Sequence, residues 1–97
     1  MPVLSPESVL VRNERLAWRS LEGEAVILFP EVGSLHRLNA TGTRIWEYLD
    51  GRCSLATIAD RLSGEFRVDH DEALRDLEAL VSELLDAGLV DLTENAS

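Results

Sequence analysis

The sequence contains no lysine, only one cysteine and no long apolar run. Its nine basic side chains are all arginine, against 18 acidic ones, so the formal net charge is −9 at pH 7. Proteins that bind DNA gain much of their affinity by neutralising phosphates with clustered basic residues. The charge balance therefore argues against a nucleic-acid partner. The conflict is greatest in residues 69–97, where nine acidic side chains accompany Arg75 as the single base.

Other absences bear on chemistry and compartment. Cys53 has no second cysteine to pair with, as is common in a reducing cytoplasm. The chain start lacks the basic and apolar regions of a secretory signal, and no stretch approaches the ~20 apolar residues of a membrane helix. His36 and His70 have no partner at metal-ligand spacing, and no glycine-rich phosphate loop is present. We expect a cytoplasmic binding module without enzyme activity, cofactor or membrane association.

The first half of the chain has the pattern of a small sheet. Ninety-seven residues suit one domain, 1–97, with 1–8 and 93–97 as flexible ends. Three runs have strand character: residues 15–21, 25–29 and 34–38. Short turns between them favour an antiparallel meander, whose last strand is then an edge. Neither proline nor lysine protects that edge, which is unusual for a monomer.

Helical spacing follows in the second half. Ile45, Trp46 and Leu49 predict a short helix that ends at Gly51. Ser54 is a suitable N-cap for a second helix over 55–63. Two short helices joined through a glycine are typical of a helix-turn-helix unit, although that shape alone does not identify a ligand.

A longer helix closes the domain. Asp69 and Glu72 have the spacing of a capping box, and Gly88 is placed to end the helix. The apolar stripe between them is broader than one core contact requires. Residues 89–92 then predict a short strand, the wing of a winged helix. The predicted fold class is α+β and winged-helix-turn-helix-like, with a three-stranded antiparallel sheet followed by three helices.

Several of these residues together resemble the PqqD-like family, also called RiPP recognition elements. The resemblance rests on the pattern LN-x-x-G-x-x-I-W at 38–46, on LDG at 49–51 and on GLV at 88–90. It covers about residues 24–92. The family's fold, with three antiparallel strands ahead of a winged-helix-like trio of helices, agrees with the elements predicted here.

The resemblance implies a non-catalytic module that binds the leader of a ribosomally made precursor peptide. It would present that leader to a maturation enzyme, such as a leader peptidase or a radical enzyme. The leader is expected to add as a strand to the sheet edge and to lie against the last helix, a form of β-augmentation. The residues expected to contact it are Ser34, Leu35, His36, Arg37, Leu38, Leu74, Leu77, Glu78 and Val81.

Three alternatives stay open. Within the family, Gly42 and Ile45-Trp46 favour the lasso-peptide type, whereas 29–31 resemble the chaperones of pyrroloquinoline quinone biosynthesis. A winged-helix transcription regulator would need a basic second helix, but 55–63 hold only Arg61, balanced by Asp60. A structural or oligomerisation domain is the third possibility. The sequence does not identify the precursor, the enzyme or the oligomeric state.

Overall fold

The structure, a computed structural model, describes residues 4–93 and contains two three-stranded antiparallel sheets and three helices. The α+β class and the predicted three-stranded antiparallel sheet are therefore confirmed, and a second three-stranded sheet, which was not predicted, is also present. In chain order the elements are β1 Val9–Arg12, β2 Ala17–Leu21, β3 Glu24–Phe29, β4 Ser34–Arg37, α1 Ala40–Tyr48, β5 Asp50–Ser54, α2 Leu55–Phe66, α3 His70–Asp86 and β6 Val90–Leu92.

The first sheet, here called the meander sheet, is formed by β2, β3 and β4 in sequence order. The short turns between these strands make this pairing the simplest one. Its inner face is buried, with Ala25 and Ile27 fully covered, whereas Leu28 on the outer face is 39% exposed. The sheet therefore has one covered face and one bare face, and β4 is an edge strand.

The second sheet, here called the closing sheet, has the order β5-β1-β6. It pairs β1 with two segments far along the chain, so that Val9 lies opposite Ser54 and Leu10 lies opposite Leu92. The short strand predicted near residue 90 is confirmed. The expected turn between the first two helices is instead β5, which is hydrogen-bonded to β1. The winged-helix-turn-helix description is therefore not established.

Gly51 shows why β5 can follow α1 so closely. Its φ of +81° is in the region that side chains disfavour, and a Cβ there would lie 3.4 Å from the side chain of Val11. Any larger residue would strain the backbone at this φ, and its Cβ would lie against Val11 of β1. The glycine predicted to end the helix thus also allows the chain to join the closing sheet.

The helix ends agree only in part with the predicted caps. The side chain of Asn39 accepts from the amide of Gly42 at 2.8 Å, and Ser54 accepts from the amide of Thr57 at 3.2 Å. Asp69 precedes α3 but its side chain makes no capping hydrogen bond, so the predicted capping box is not formed. The second helix also continues past residue 63 and ends at Arg67, which has a positive φ of 55°.

Trp46 lies in the core, where it connects the two sheets. Its side chain is fully buried and meets Trp18 of β2 edge to face, with ring centroids 6.0 Å apart. Its carbonyl oxygen accepts from the guanidinium of Arg12 in β1 at 2.8 Å. Arg12 also donates to the carbonyl of Glu47, and thereby satisfies two carbonyls near the end of α1.

The ends of the described chain are attached to the rest of the domain. The amide of Ala56 donates to the carbonyl of Pro6 at 2.8 Å, and the amide of Thr93 donates to that of Val9 at 2.9 Å. Residues 1–3 and 94–97, which belong to the predicted flexible ends, lie outside the described residues. Between residues 4 and 93, no helix has the length and apolar character to cross a membrane.

Candidate functional site

The free side of β4 is the first component of the candidate site. The amide of Leu38 donates to the carbonyl of Ala25 at 2.9 Å, and the register places His36 opposite Ile27. Hydrogen-bonded pairs alternate along an antiparallel ladder. The main-chain groups of His36 therefore point toward β3, while those of Leu35 and Arg37 point away from the sheet. These groups are available to another strand.

A groove beside this edge is the second component. It has a volume of about 550 Å³ and lies between the end of β4, the first turn of α1 and one side of α3. Its lining residues are Arg37, Leu38, Asn39, Thr41, Gly42, Ile45, Asp76, Leu80 and Glu83. An extended segment on the edge of β4 would lie next to this groove.

Gly42 keeps the groove open at its centre. A Cβ at this position would lie 3.2 Å from Oδ1 of Asn39 and 3.3 Å from Cβ of Leu38. It would also lie 3.6 Å from Cδ2 of Leu80 on the opposite wall. The contacts on the Asn39 side are tighter than ordinary packing. A side chain at residue 42 would therefore disturb the N-cap and reduce the free space.

Three residues of α3 face the groove because of their helical positions. At about 100° per residue, Asp76, Leu80 and Glu83 fall within an arc of about 60°. Leu77 and Val81 lie roughly 100–140° around the helix from Asp76. They are fully buried in the core. One flank of the apolar stripe of α3 therefore lines the groove, and the centre of the stripe packs in the core.

Two of the five predicted β4 residues line the groove, and the predicted α3 residues do not. Arg37 and Leu38 line it. Ser34 and His36 are on the inner face of β4, and Leu35 is on the outer face. The remaining predicted residues are those of α3: Leu74, Leu77, Glu78 and Val81.

None of these four α3 residues lines the groove. Leu77 and Val81 have no exposed surface, because the core occupies their side of the helix. Leu74 and Glu78 are partly buried on the opposite flank of the stripe. Reasoning from the sequence missed Asp76, Leu80 and Glu83. The breadth of the stripe was the available signal, but it did not indicate which flank faces β4.

The rim of the groove is negatively charged. Asp76 and Glu83 make no ion pair within residues 4–93. The nearest cation of the lining, Arg37, is already paired with Glu24 at 2.8 Å. The two α3 carboxylates are therefore available to a positively charged ligand group.

A separate polar cluster holds α1 against α2 and lies apart from the groove lining. Glu65 accepts from Arg44 at 2.9 Å and from the hydroxyl of Tyr48. The hydrogen bond from Arg44 is the main cause that lowers the pKa of Glu65 to about 2. The hydrogen bond to Glu65 is in turn the main cause that raises the pKa of Tyr48. This cluster positions the helices.

Clusters of metal-binding side chains are absent from the described part of the chain. Across residues 4–93, no three histidine, cysteine, aspartate or glutamate side chains come together to hold a metal ion. His70 is 3.6 Å from Asp60 and 3.7 Å from Asp71, all on the surface.

A family model and a curated relative each match most of this chain. Residues 24–90 match the family model described as coenzyme PQQ synthesis protein D (PqqD). The PqqA binding protein of Rhodopseudomonas palustris (strain ATCC BAA-98 / CGA009) is 32% identical over 82 residues. That alignment covers 84% of this chain and 78% of the relative.

Three solved structures share the fold. TbiB1 in complex with the TbiA(beta) leader peptide has a TM-score of 0.76 and 26% identity, covering 90% of this chain and 99% of TbiB1. Lasso peptide synthetase B1 complexed with the leader peptide has a TM-score of 0.77 and 27% identity, covering 84% and 96%. The heterocyclase TruD, at 16% identity and a TM-score of 0.64, is similar in fold alone over 93% of this chain and 12% of TruD.

Proposed function

This chain belongs to the PqqD family, and we propose that it binds the leader of a ribosomally made precursor peptide as an added strand on β4. The observation that carries the proposal is the open edge of β4 beside the α3 groove. Two structures of the same fold hold leader peptides, and a curated relative is a PqqA binding protein. These likenesses support the same type of ligand here.

The leader would pair with Ser34 to Leu38 through its main chain. Leu35 and Arg37 offer the free amide and carbonyl groups that a new strand requires. Side chains alternate along a strand, so every second leader residue would face the groove. There Leu80 offers an apolar contact from α3. We therefore propose Asp76, Leu80 and Glu83 as the α3 contacts, in place of the buried Leu77 and Val81.

Charge should influence which leader binds. The groove presents the carboxylates of Asp76 and Glu83, and the whole chain has a net charge of −9. A leader with basic residues near the groove rim would be attracted, mainly through a faster association rate. An acidic leader would be repelled. Binding should accordingly weaken as salt is added, because exposed charges are screened.

The pathway is proposed to be of the lasso-peptide type, with presentation of the leader to a maturation enzyme in the cytoplasm. The agreement with lasso peptide synthetase B1 over 84% of this chain supports it. The alternative is a chaperone of pyrroloquinoline quinone biosynthesis, supported by the relative that binds PqqA. Titration of this chain with the TbiA(beta) leader and with PqqA, side by side, would separate the two by relative affinity.

The binding proposal itself can be tested without knowledge of the precursor. A phage library of random fifteen-residue peptides would be selected on the full chain, and the best peptide titrated by calorimetry. Amide-shift mapping should then show changes at Ser34–Leu38 and along one side of α3. Shifts confined to α2, or the failure of any peptide to bind, would contradict the proposal.

A further inference from the structure

An apolar row crosses the bare outer face of the meander sheet and stops at the β4 edge. Ala17 of β2 lies directly opposite Leu28 of β3, and Leu28 lies directly opposite Leu35 of β4. Directly opposed residues share one face of a sheet. The exposed fraction rises from 39% at Leu28 to 66% at Leu35, because Leu35 has a neighbour on one side only.

The same residue, Leu35, provides both the end of this row and free main-chain groups. Its amide and carbonyl point away from β3, as shown by the register and by the hydrogen bond of Leu38 to Ala25. A strand that pairs with these groups must place one of its own residues opposite Leu35. The side chain of that residue then falls on the outer face, as the next member of the row.

We propose that the leader is recognised on both of its faces, and that its residue opposite Leu35 is apolar. This inference rests on the proposed function and extends it to a second contact surface, outside the groove. Groove-facing leader residues would contact α3, and the intervening outward residue would pack on Leu35. Leader specificity would then depend on two alternating positions of different chemistry.

A leader strand fits this position better than a second copy of the chain. Two copies joined edge to edge would bring together two chains that each have a net charge of −9. Each copy would also present the carboxylates of Asp76 and Glu83 beside its own β4 edge. A peptide with basic groove-facing residues and an apolar outward residue meets no such repulsion.

The test is a double-mutant cycle between the chain and the peptide selected from the random library. Leu35→Thr preserves strand propensity and removes the apolar contact. Each outward residue of the peptide is changed to threonine in turn. We expect Leu35→Thr to weaken binding about threefold to fivefold, as cross-strand pairs of this kind do. One peptide change should weaken binding similarly, and the two together should cost little more than either alone.

Leu21→Thr is the matched control. Leu21 is 47% exposed and lies on the same outer face, but on β2 at the opposite edge. This variant should bind the selected peptide with unchanged affinity. Amide spectra of both variants would show that each retains the parent fold. Calorimetry of the peptide series on the parent chain needs no protein variant and tests the apolar preference separately.

The outcomes separate this inference from the proposed function. A peptide that maps to β4 but shows no coupling with Leu35, or that prefers a polar outward residue, overturns the inference alone. If no peptide maps to β4, both the inference and the proposed function fail. If one outward peptide residue couples with Leu35→Thr and none couples with Leu21→Thr, the result supports recognition of the leader on both of its faces.

Discussion

The two sheets have the same number of strands but differ in how they are assembled and in how their edges are treated. The meander sheet uses three consecutive strands, and the free edge of β4 is open. The closing sheet pairs β1 with β5 and β6, which join distant parts of the chain. Its β6 edge is only three residues long.

Two main-chain amides of β5, in the closing sheet, are hydrogen-bonded to a side chain of the same strand. A carboxylate oxygen of Asp50 accepts from the amides of Arg52 at 2.9 Å and of Cys53 at 3.3 Å. Such devices make an edge less able to recruit another strand. No comparable contact is found on β4 in the described chain. The closing sheet therefore holds distant parts of the chain together, whereas β4 of the meander sheet is the edge on which the proposed leader would pair.

The largest expected effect is the loss of stability when the residue that connects both sheets is truncated. Trp46→Ala should lower the free energy of unfolding by about 3–5 kcal/mol, as large aromatic truncations in a core do. The truncation removes a fully buried side chain that packs on Trp18 of the meander sheet. The hydrogen bond from Arg12 of the closing sheet goes to the main-chain carbonyl of residue 46 and is retained in the variant. Chemical denaturation followed by circular dichroism measures the change. A loss below 1 kcal/mol would show that this side chain does not hold α1 against the meander sheet.

The second prediction separates the groove flank of α3 from its other flank. Leu80→Asp should weaken binding of the selected peptide more than tenfold, about 1.4 kcal/mol, because Leu80 lines the groove. Leu74→Asp is the matched control, since Leu74 is also partly buried but lies on the far flank of the same stripe. Calorimetry compares the two variants with the parent.

The opposite result would support the leader contacts on α3 that were predicted from the sequence. If Leu74→Asp abolished binding and Leu80→Asp did not, the leader would lie on the other flank. Leu77→Asp is not a useful binding variant, because a charge at this fully buried position should unfold the chain.

A smaller effect is expected from the cluster that joins α1 to α2. The pKa of Glu65 is lowered to about 2 in the folded chain, chiefly by the hydrogen bond from Arg44, from an ordinary value of 4.5. A lowered pKa contributes stability above the ordinary value, and this contribution disappears as the pH falls toward 2. Because the group is exposed and screened, we expect on the order of 0.5 kcal/mol.

Glu65→Gln should therefore flatten the loss of stability between about pH 4.5 and pH 2. Denaturation curves at several pH values would measure this slope for the parent and the variant. Glu14→Gln, at an exposed glutamate in a turn without an ion pair in residues 4–93, is the control and should retain the parent slope. Equal slopes for parent and Glu65→Gln would show that the cluster contributes nothing.

The smallest expected effect is the binding of duplex DNA, for which we predict no measurable signal at physiological salt. If the helix pair held by the closing sheet were the interface, it would need free cations. The guanidinium of Arg44 is instead paired with Glu65. The guanidiniums of Arg44 and Arg61 both lie over the ring of Tyr48. Fluorescence anisotropy tests this prediction. A defined duplex that binds more tightly at lower salt would favour a transcription regulator.

Much of the meander sheet and of the helices could be predicted because their signals are local. The strand at 34–38 and the N-cap Ser54 depend on residues that are close in sequence, and the structure confirms them. The closing sheet was only partly predicted. The pairing of Leu10 with Leu92 crosses almost the whole chain, and no local pattern specifies such a partner.

The sequence by itself determined the family, the class of fold, the open edge at β4 and the apolar stripe of α3. Only the tertiary structure decided how α3 is rotated against its neighbours. A stripe broader than one core contact has more apolar positions than the core can cover, so the pattern alone does not indicate which flank stays uncovered. The burial of Leu77 and Val81 places Leu80, with Asp76 and Glu83, in the groove. That rotation depends on contacts with distant elements, which no local pattern encodes.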